Sequence, residues 1–159
     1  MTAVVDTSPL IVLGKVQRLD LVASLYSEDA VPPAVAEEVL ARPQAIGRDL
    51  RQLVTGTAVQ PVQIVMLART LSVDLGSGEA EAIALAAEVR DAILIMDDAE
   101  ARRVARRLGL RVTGVLGVLI EAKHCGLVTA VRPILDALGS AGFWLGEPLR
   151  KVILDAVRE

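Results

Sequence analysis

Ile93-Leu94-Ile95-Met96-Asp97, read together with Ala3-Val4-Val5-Asp6, decides the fold class. Each is a short, unbroken apolar run closed by an aspartate. Runs of this kind suit strands buried on both faces, as in a parallel sheet. In an open parallel sheet the ligand crevice lies at the carboxyl ends of the strands. Asp6 and Asp97 are therefore expected to face one pocket, where two unpaired carboxylates repel. A hard divalent cation relieves that repulsion, and Mg²⁺ favours oxygen ligands. Each aspartate also precedes a helix, where Asp is a favoured cap. Capping alone does not account for both acids following buried strands.

Working outward, strands alternate with helices, the pattern of an α/β domain. Thr7-Ser8-Pro9 opens a helix that is expected to end at Gly14, and a second helical stretch runs from Val16 to Leu25. Asp29-Ala30-Val31 reads as a strand closed by Pro32-Pro33, followed by a helix over 34–41. Helices are expected over 45–55 and 62–71, with a short strand at 59–62 an open alternative. A helix over 79–89, the strand 93–96 and a helix over 98–108 follow, stopped by Gly109. Arg111-Val112-Thr113 is a last strand, and helices near 115–125, 131–139 and 147–157 complete the chain. No linker, repeat or low-complexity stretch divides it, so residues 1–159 read as a single domain.

The composition narrows the function classes. Hydrophobic residues make up 53% of the 159, which excludes disorder. Tyr26, Phe143 and Trp144 are the only aromatics, which argues against base stacking on an aromatic platform of the kind single-strand binders use and leaves any RNA affinity to a few cations near the acids. The net charge is -3, so any contact with nucleic acid must come from a local basic patch. The lone Cys125 excludes an internal disulfide framework and is expected to be a buried, inert thiol. The lone His124 excludes a histidine-based metal pair or triad. No apolar run is long enough to span a bilayer. The chain opens on a strand rather than on a basic and apolar signal segment, so the expected location is cytoplasmic.

Helical periodicity sorts the remaining acids. In the helix from Glu79, that residue shares a face with Ala82, Ile83 and Ala86, whereas Glu81 and Glu88 fall opposite and are expected to be solvated. A carboxylate on a buried face needs a partner or a metal; a first-turn acid complementing the helix dipole is the plainer alternative. Glu38 borders the stripe formed by Val35 and Val39 while Glu37 lies nearly opposite, but periodicity alone does not choose between them. Thr7 and Ser8 stand ready to orient Asp6 or to cap the helix, and Asp98 reads as a cap. Arg102, Arg103, Arg106, Arg107 and Arg111 form a basic patch close to Asp97 in sequence, suited to phosphate contacts or to a solvated helix face. Gly76-Ser77-Gly78 lacks the lysine spacing of a phosphate-binding loop.

Taken in order, four stretches resemble the PIN-domain family, most closely a VapC-like toxin branch of DUF3368 type. They are Val4-Val5-Asp6-Thr7-Ser8-Pro9, Val31-Pro32-Pro33 through Glu37-Glu38-Val39, Leu75-Gly76-Ser77-Gly78-Glu79, and Leu94-Ile95-Met96-Asp97-Asp98 continuing through Arg102-Arg103 to Val112-Thr113-Gly114. The likeness extends to Gly142-Phe143-Trp144. It implies a three-layer α/β/α sandwich with a mainly parallel sheet, and hydrolysis of RNA phosphodiesters dependent on Mg²⁺ or Mn²⁺. The family's four acids fall on Asp6, Glu38, Glu79 and Asp97, as catalytic residues and metal ligands; the third is commonly Asp in related toxins and is Glu79 here. The same likeness implies a small antitoxin protein as partner and a homodimer.

Two other classes compete with this reading. A catalytically silent PIN-like module would bind RNA or a partner protein without cutting. A phosphoacceptor or phosphatase of another α/β fold would also use strand-end aspartates. It would want a second acid beside the first, and Ser8 stands two residues after Asp6.

Overall fold

The computed structural model describes residues 1–42 and 47–159. Four strands make one sheet: β1 (Thr2–Val5), β2 (Glu28–Ala30), β3 (Ala92–Ile95) and β4 (Val112–Thr113). Their order is β2-β1-β3-β4, and every pairing is parallel. All four residues of β1 are buried, as expected for an inner strand covered on both faces. The connection from β1 leads to β2 on one side, and β3 pairs on the other. The chain direction across the sheet therefore reverses at β1 and β3, which opens a crevice beyond their carboxyl ends.

Ten helices are present among the described residues: α1 (Thr7–Lys15), α2 (Asp20–Leu25), α3 (Pro33–Leu40), α4 (Arg48–Thr55), α5 (Val65–Leu71), α6 (Ser77–Glu88), α7 (Ala99–Arg107), α8 (Val115–His124), α9 (Arg132–Ser140) and α10 (Glu147–Ala156). Helices α1, α3, α4, α5 and α6 form one packed group, and α2, α8 and α10 another. The result is an α/β/α fold with its parallel sheet between helices. One cluster of buried aliphatic side chains runs through it from Ala3 to Val157.

Several boundaries differ from the sequence reading for local reasons. Helix α1 runs on through Gly14 to Lys15, and α4 packs there so closely that a Cβ would come within 3.1 Å of Leu50 Cδ2. The segment at 59–62 forms a single parallel bridge between Val59 and Val31 rather than a strand. Helix α5 begins only at Val65, since the Gln63 and Ile64 amides are taken by Glu88. The helix expected from residue 45 is α4 from Arg48; positions 45 and 46 lie outside the described residues. Cys125 is exposed rather than buried, because it stands just past α8 where the chain turns at Gly126 (φ 74°). No described helix is long and apolar enough to cross a membrane.

Candidate active site

The parallel register brings Asp6 and Asp97 to the same crevice. Val5 pairs with Ile95, and the Asp6 amide donates to the Ile95 carbonyl at 3.0 Å. Asp6 closes β1 and is 3% exposed. It occupies the cap position of α1, yet its side chain makes no capping hydrogen bond. Its Oδ1 is buried and without a hydrogen-bond partner. Burial raises its pKa to about 7, a shift opposed by the Thr7 amide and reinforced by the charges of Glu79, Glu38 and Asp97. All three other acids are thus close enough for their charges to act on Asp6.

Asp97 caps a helix, but not its own. Its Oδ1 accepts from the Val115 amide at 3.0 Å, at the start of α8, while Asp98 caps α7 by accepting from Glu100 and Ala101. The cap residue of α8 is Gly114, which has no side chain to offer. A Cβ there would lie 2.5 Å from Asp97 Oδ1, so glycine is what lets the carboxylate approach. The other oxygen, Oδ2, is buried and unpartnered. Burial raises the Asp97 pKa, while the Val115 amide and the Arg102 charge pull it down. One further orphaned oxygen among the described residues, Asp29 Oδ1, lies on β2 and lines a different hollow.

The two glutamates are held by helix starts. Thr7 Oγ1 donates to Glu38 Oε2 at 2.6 Å, and the Gly78 amide donates to Oε1 at 2.8 Å. Thr7 therefore orients Glu38 rather than Asp6. A Cβ on Gly78 would sit 2.7 Å from Glu38 Oε2, so this glycine too makes room for a carboxylate. Glu37 is exposed. Glu79 accepts from the Gly76 amide at 3.0 Å and lines the same cleft as Asp6 and Glu38. Its pKa is raised, first by burial and then by Asp98, Glu38 and Glu100, with the Gly76 amide opposing. Helix-dipole complement and cleft acid are here one residue in two roles. The amino ends of α1, α6, α7 and α8 all open toward these acids, and their partial positive charge offsets some of the repulsion.

Glu81 and Glu88, expected to be solvated, are half-buried and bound to backbone amides. Glu81 accepts from the Ala34 amide at 2.9 Å at the start of α3, and Glu88 accepts from Gln63 and Ile64 before α5. A single helix wheel shows one core face; α6 is packed by the sheet and by α3 and α5, so its other faces also meet structure.

The arginines divide along α7. Arg102 is half-buried, and the space that a Gly114 Cβ would fill is also within 2.9 Å of its Nη1, so it stands beside Asp97. Arg103, Arg106 and Arg107 are exposed. Arg106 and Arg107 lie in the last turn, toward the opposite end of the sheet. Arg111 precedes β4 and binds Asp91, which also meets the Met1 ammonium at 3.4 Å. It belongs to the amino end of the sheet, away from the acids, because a helix returning between parallel strands carries its far end there.

The cleft, about 700 Å³, also holds residues to which the sequence reading gave no site role: Lys15, Arg42, Phe143 and Trp144. Lys15 was within reach of pattern, since Thr7, Ile11 and Lys15 repeat at helical spacing. The others arrive through loops whose placement no periodicity encodes.

A family model for a PIN domain, DUF3368, matches residues 2–159. The chain belongs to this PIN-domain family. PIN domains are in general nucleases, hydrolases that typically use divalent metal ions. No curated protein and no solved structure gives a match.

The donor set suits such an ion. Carboxylate oxygens are the preferred ligands of hard cations, and two buried carboxylate oxygens, on Asp6 and Asp97, have no protein partner. Among the described residues no three acidic, histidine or cysteine side chains close round one point. An ion here would take few protein oxygens directly and the rest from water, as Mg²⁺ commonly does.

Proposed function

We propose that this protein is a divalent-metal-dependent endoribonuclease, and that it is the toxin of a toxin–antitoxin pair. The observation that carries the nuclease reading is the pair of orphaned, buried oxygens on Asp6 and Asp97, flanked by Glu38 and Glu79, in a chain of a nuclease family. Mg²⁺ and Mn²⁺ are the metals this oxygen-only set favours. RNA as substrate, and the toxin role with its antitoxin partner and homodimer, rest on the likeness to the VapC-like branch.

Asp6 and Asp97 would hold the metal directly, with Glu38 and Glu79 acting directly or through water. A bound metal supplies an acidified water and stabilises charge on the attacked phosphate. The chain's own part is to hold four carboxylates in place. Thr7 and Gly78 fix Glu38, Gly76 fixes Glu79 and Val115 fixes one oxygen of Asp97. The opposing lysine and arginines give the substrate backbone a route past this negative centre.

A catalytically silent module is the second reading, favoured by the absence of a three-ligand cluster among the described residues. The deciding assay uses structured and unstructured RNAs with Mg²⁺, Mn²⁺ or EDTA, beside Asp6→Asn. Cleavage is expected in either metal, with loss in EDTA and in the mutant. Intact RNA in both metals, from folded wild type, would leave the silent module standing.

A further inference from the structure

We propose that Trp144 stacks on one base of a single-stranded substrate, with Lys15 and Arg42 contacting the neighbouring phosphates. The inference rests on the nuclease reading for the identity of the substrate, and adds which strand state and which residues it engages.

Trp144 is 89% exposed and is the chain's only tryptophan. Isolated exposed apolar side chains are ordinary, so exposure alone carries nothing. Its position does. Trp144 lines the same cleft as Asp6, Glu38 and Glu79, together with Lys15 and Arg42. One part of that cleft is acidic, fit for a metal and the phosphate it engages; another is aromatic and cationic. That is the division of labour needed to hold a nucleotide by its base while its phosphate meets the acids.

The ring is free, but the backbone beneath it is not. Gly142 takes φ 92°, a conformation that glycine adopts without strain, and turns the chain out of α9. The Phe143 amide donates to the Leu138 carbonyl at 2.9 Å, and Phe143 and Leu145 pack on the core at either side. The Arg150 amide donates to the Gly146 carbonyl as α10 begins. The indole folds over Gly146, where a Cβ would come within 3.3 Å of Cη2. The ring is therefore anchored through its backbone and bare on its face, open to a stacked base.

Lys15 and Arg42 are exposed and make no ion pair among the described residues, unlike Arg18, Arg111, Lys123 and Arg150. Their charges are available to phosphates. Paired RNA keeps its base faces stacked within the helix, whereas a single strand can turn one out.

Because Trp144 is the sole tryptophan, fluorescence excited at the red edge of the indole band, where Tyr26 does not absorb, reports on this ring alone. Asp6→Asn protein in Mg²⁺ is titrated with a single-stranded oligoribonucleotide and with the same sequence as a duplex. Strong quenching is expected with the single strand and little with the duplex. By anisotropy of a labelled strand, Trp144→Ala should weaken binding by about tenfold to a hundredfold, while Trp144→Phe retains most of it. Lys15→Gln should flatten the slope of log affinity against log salt by about 0.7. Unchanged fluorescence with saturating RNA, and unchanged affinity in Trp144→Ala, would overturn the proposal. A blue shift that follows protein concentration, with dimers in sedimentation, would overturn it too, showing that a second copy covers the ring beside exposed Leu149 and Val152. Quenching without wild-type cleavage would uphold the stacking and remove the nuclease reading. Cleavage indifferent to Trp144→Ala would do the reverse.

Discussion

Asp91 and Asp97 bracket the same strand, β3, and could hardly be treated more differently. At the amino end, Asp91 is exposed, sits against Arg111 and the chain's own ammonium, and has its pKa lowered by them, with Arg111 first. At the carboxyl end, Asp97 is half-buried, has an unpartnered oxygen and has its pKa raised by burial. Asp6, one strand over, is more extreme still. One end of the sheet neutralises its acid and the other leaves its acids short of positive charge. Stability alone does not favour the second arrangement, since burying carboxylates without partners costs free energy. The contrast is the reason the carboxyl end is the candidate site.

The sharpest way to break the comparison is to neutralise an acid at each end. Asp6→Asn is expected to cut metal-dependent cleavage by more than about a hundredfold, beyond what loss of a ligand's supporting partner costs. Asp91→Asn should leave cleavage unchanged. Equal losses in a nuclease assay would end the distinction between the two ends.

Stability without metal should run opposite to activity. Folded Asp6 titrates at about 7 against an ordinary 3.8, so the folded state holds a proton that the unfolded chain has released. Its penalty is absent below 3.8, grows as pH rises and is complete above about 7. At about 1.36 kcal/mol per pKa unit, the loss is on the order of a few kcal/mol. Thermal melts in EDTA across this range should show wild type falling more steeply than Asp6→Asn, in which the raised Asp97 and Glu79 remain. A wild-type protein whose stability rises with pH there would show that the acids are compensated after all.

Metal should reverse the penalty. Mn²⁺ at a hundred times its Kd should stabilise wild type by about 2.7 kcal/mol and Asp97→Asn by much less. Equal shifts in a melting series would remove Asp97 from the ligand set.

Two glycines test how tightly the carboxyl end is built. Gly78→Ala and Gly114→Ala press a Cβ against the Glu38 and Asp97 carboxylates, and should each cost about 1–3 kcal/mol in denaturant unfolding. Gly139→Ala in α9 meets nothing within 4 Å and should be neutral or stabilising by about 0.5–1 kcal/mol. Comparable costs at all three would show that the site glycines are ordinary helix glycines.

The smallest effect belongs to the arginines. Arg102→Ala should reduce the salt slope of RNA binding by about 0.7, whereas Arg106→Ala with Arg107→Ala should leave it unchanged. A steeper loss from the distal pair would route the substrate along all of α7.

Much of this was legible in the chain itself. Unbroken apolar runs ending in Asp6 and Asp97 require strands covered on both faces, and parallel strands put their carboxyl ends together, so the sheet and two of the acids follow from local pattern. Helical period set Glu79 on an inward face without choosing between a cleft acid and a first-turn complement to the helix dipole. The four family stretches supplied Glu38, where period alone was undecided between it and Glu37. What the pattern could not carry was contact between distant elements. Glu81 and Glu88 look solvated on a wheel, yet each binds the amides at the start of another helix. The five arginines look like one patch, yet a helix of nine residues separates their ends. Trp144 and Lys15 are 129 positions apart in sequence and share one cleft. Period and propensity are properties of neighbours along the chain; burial, charge compensation and the walls of a cleft depend on which distant segments the packed core brings together, and only the tertiary structure decides that.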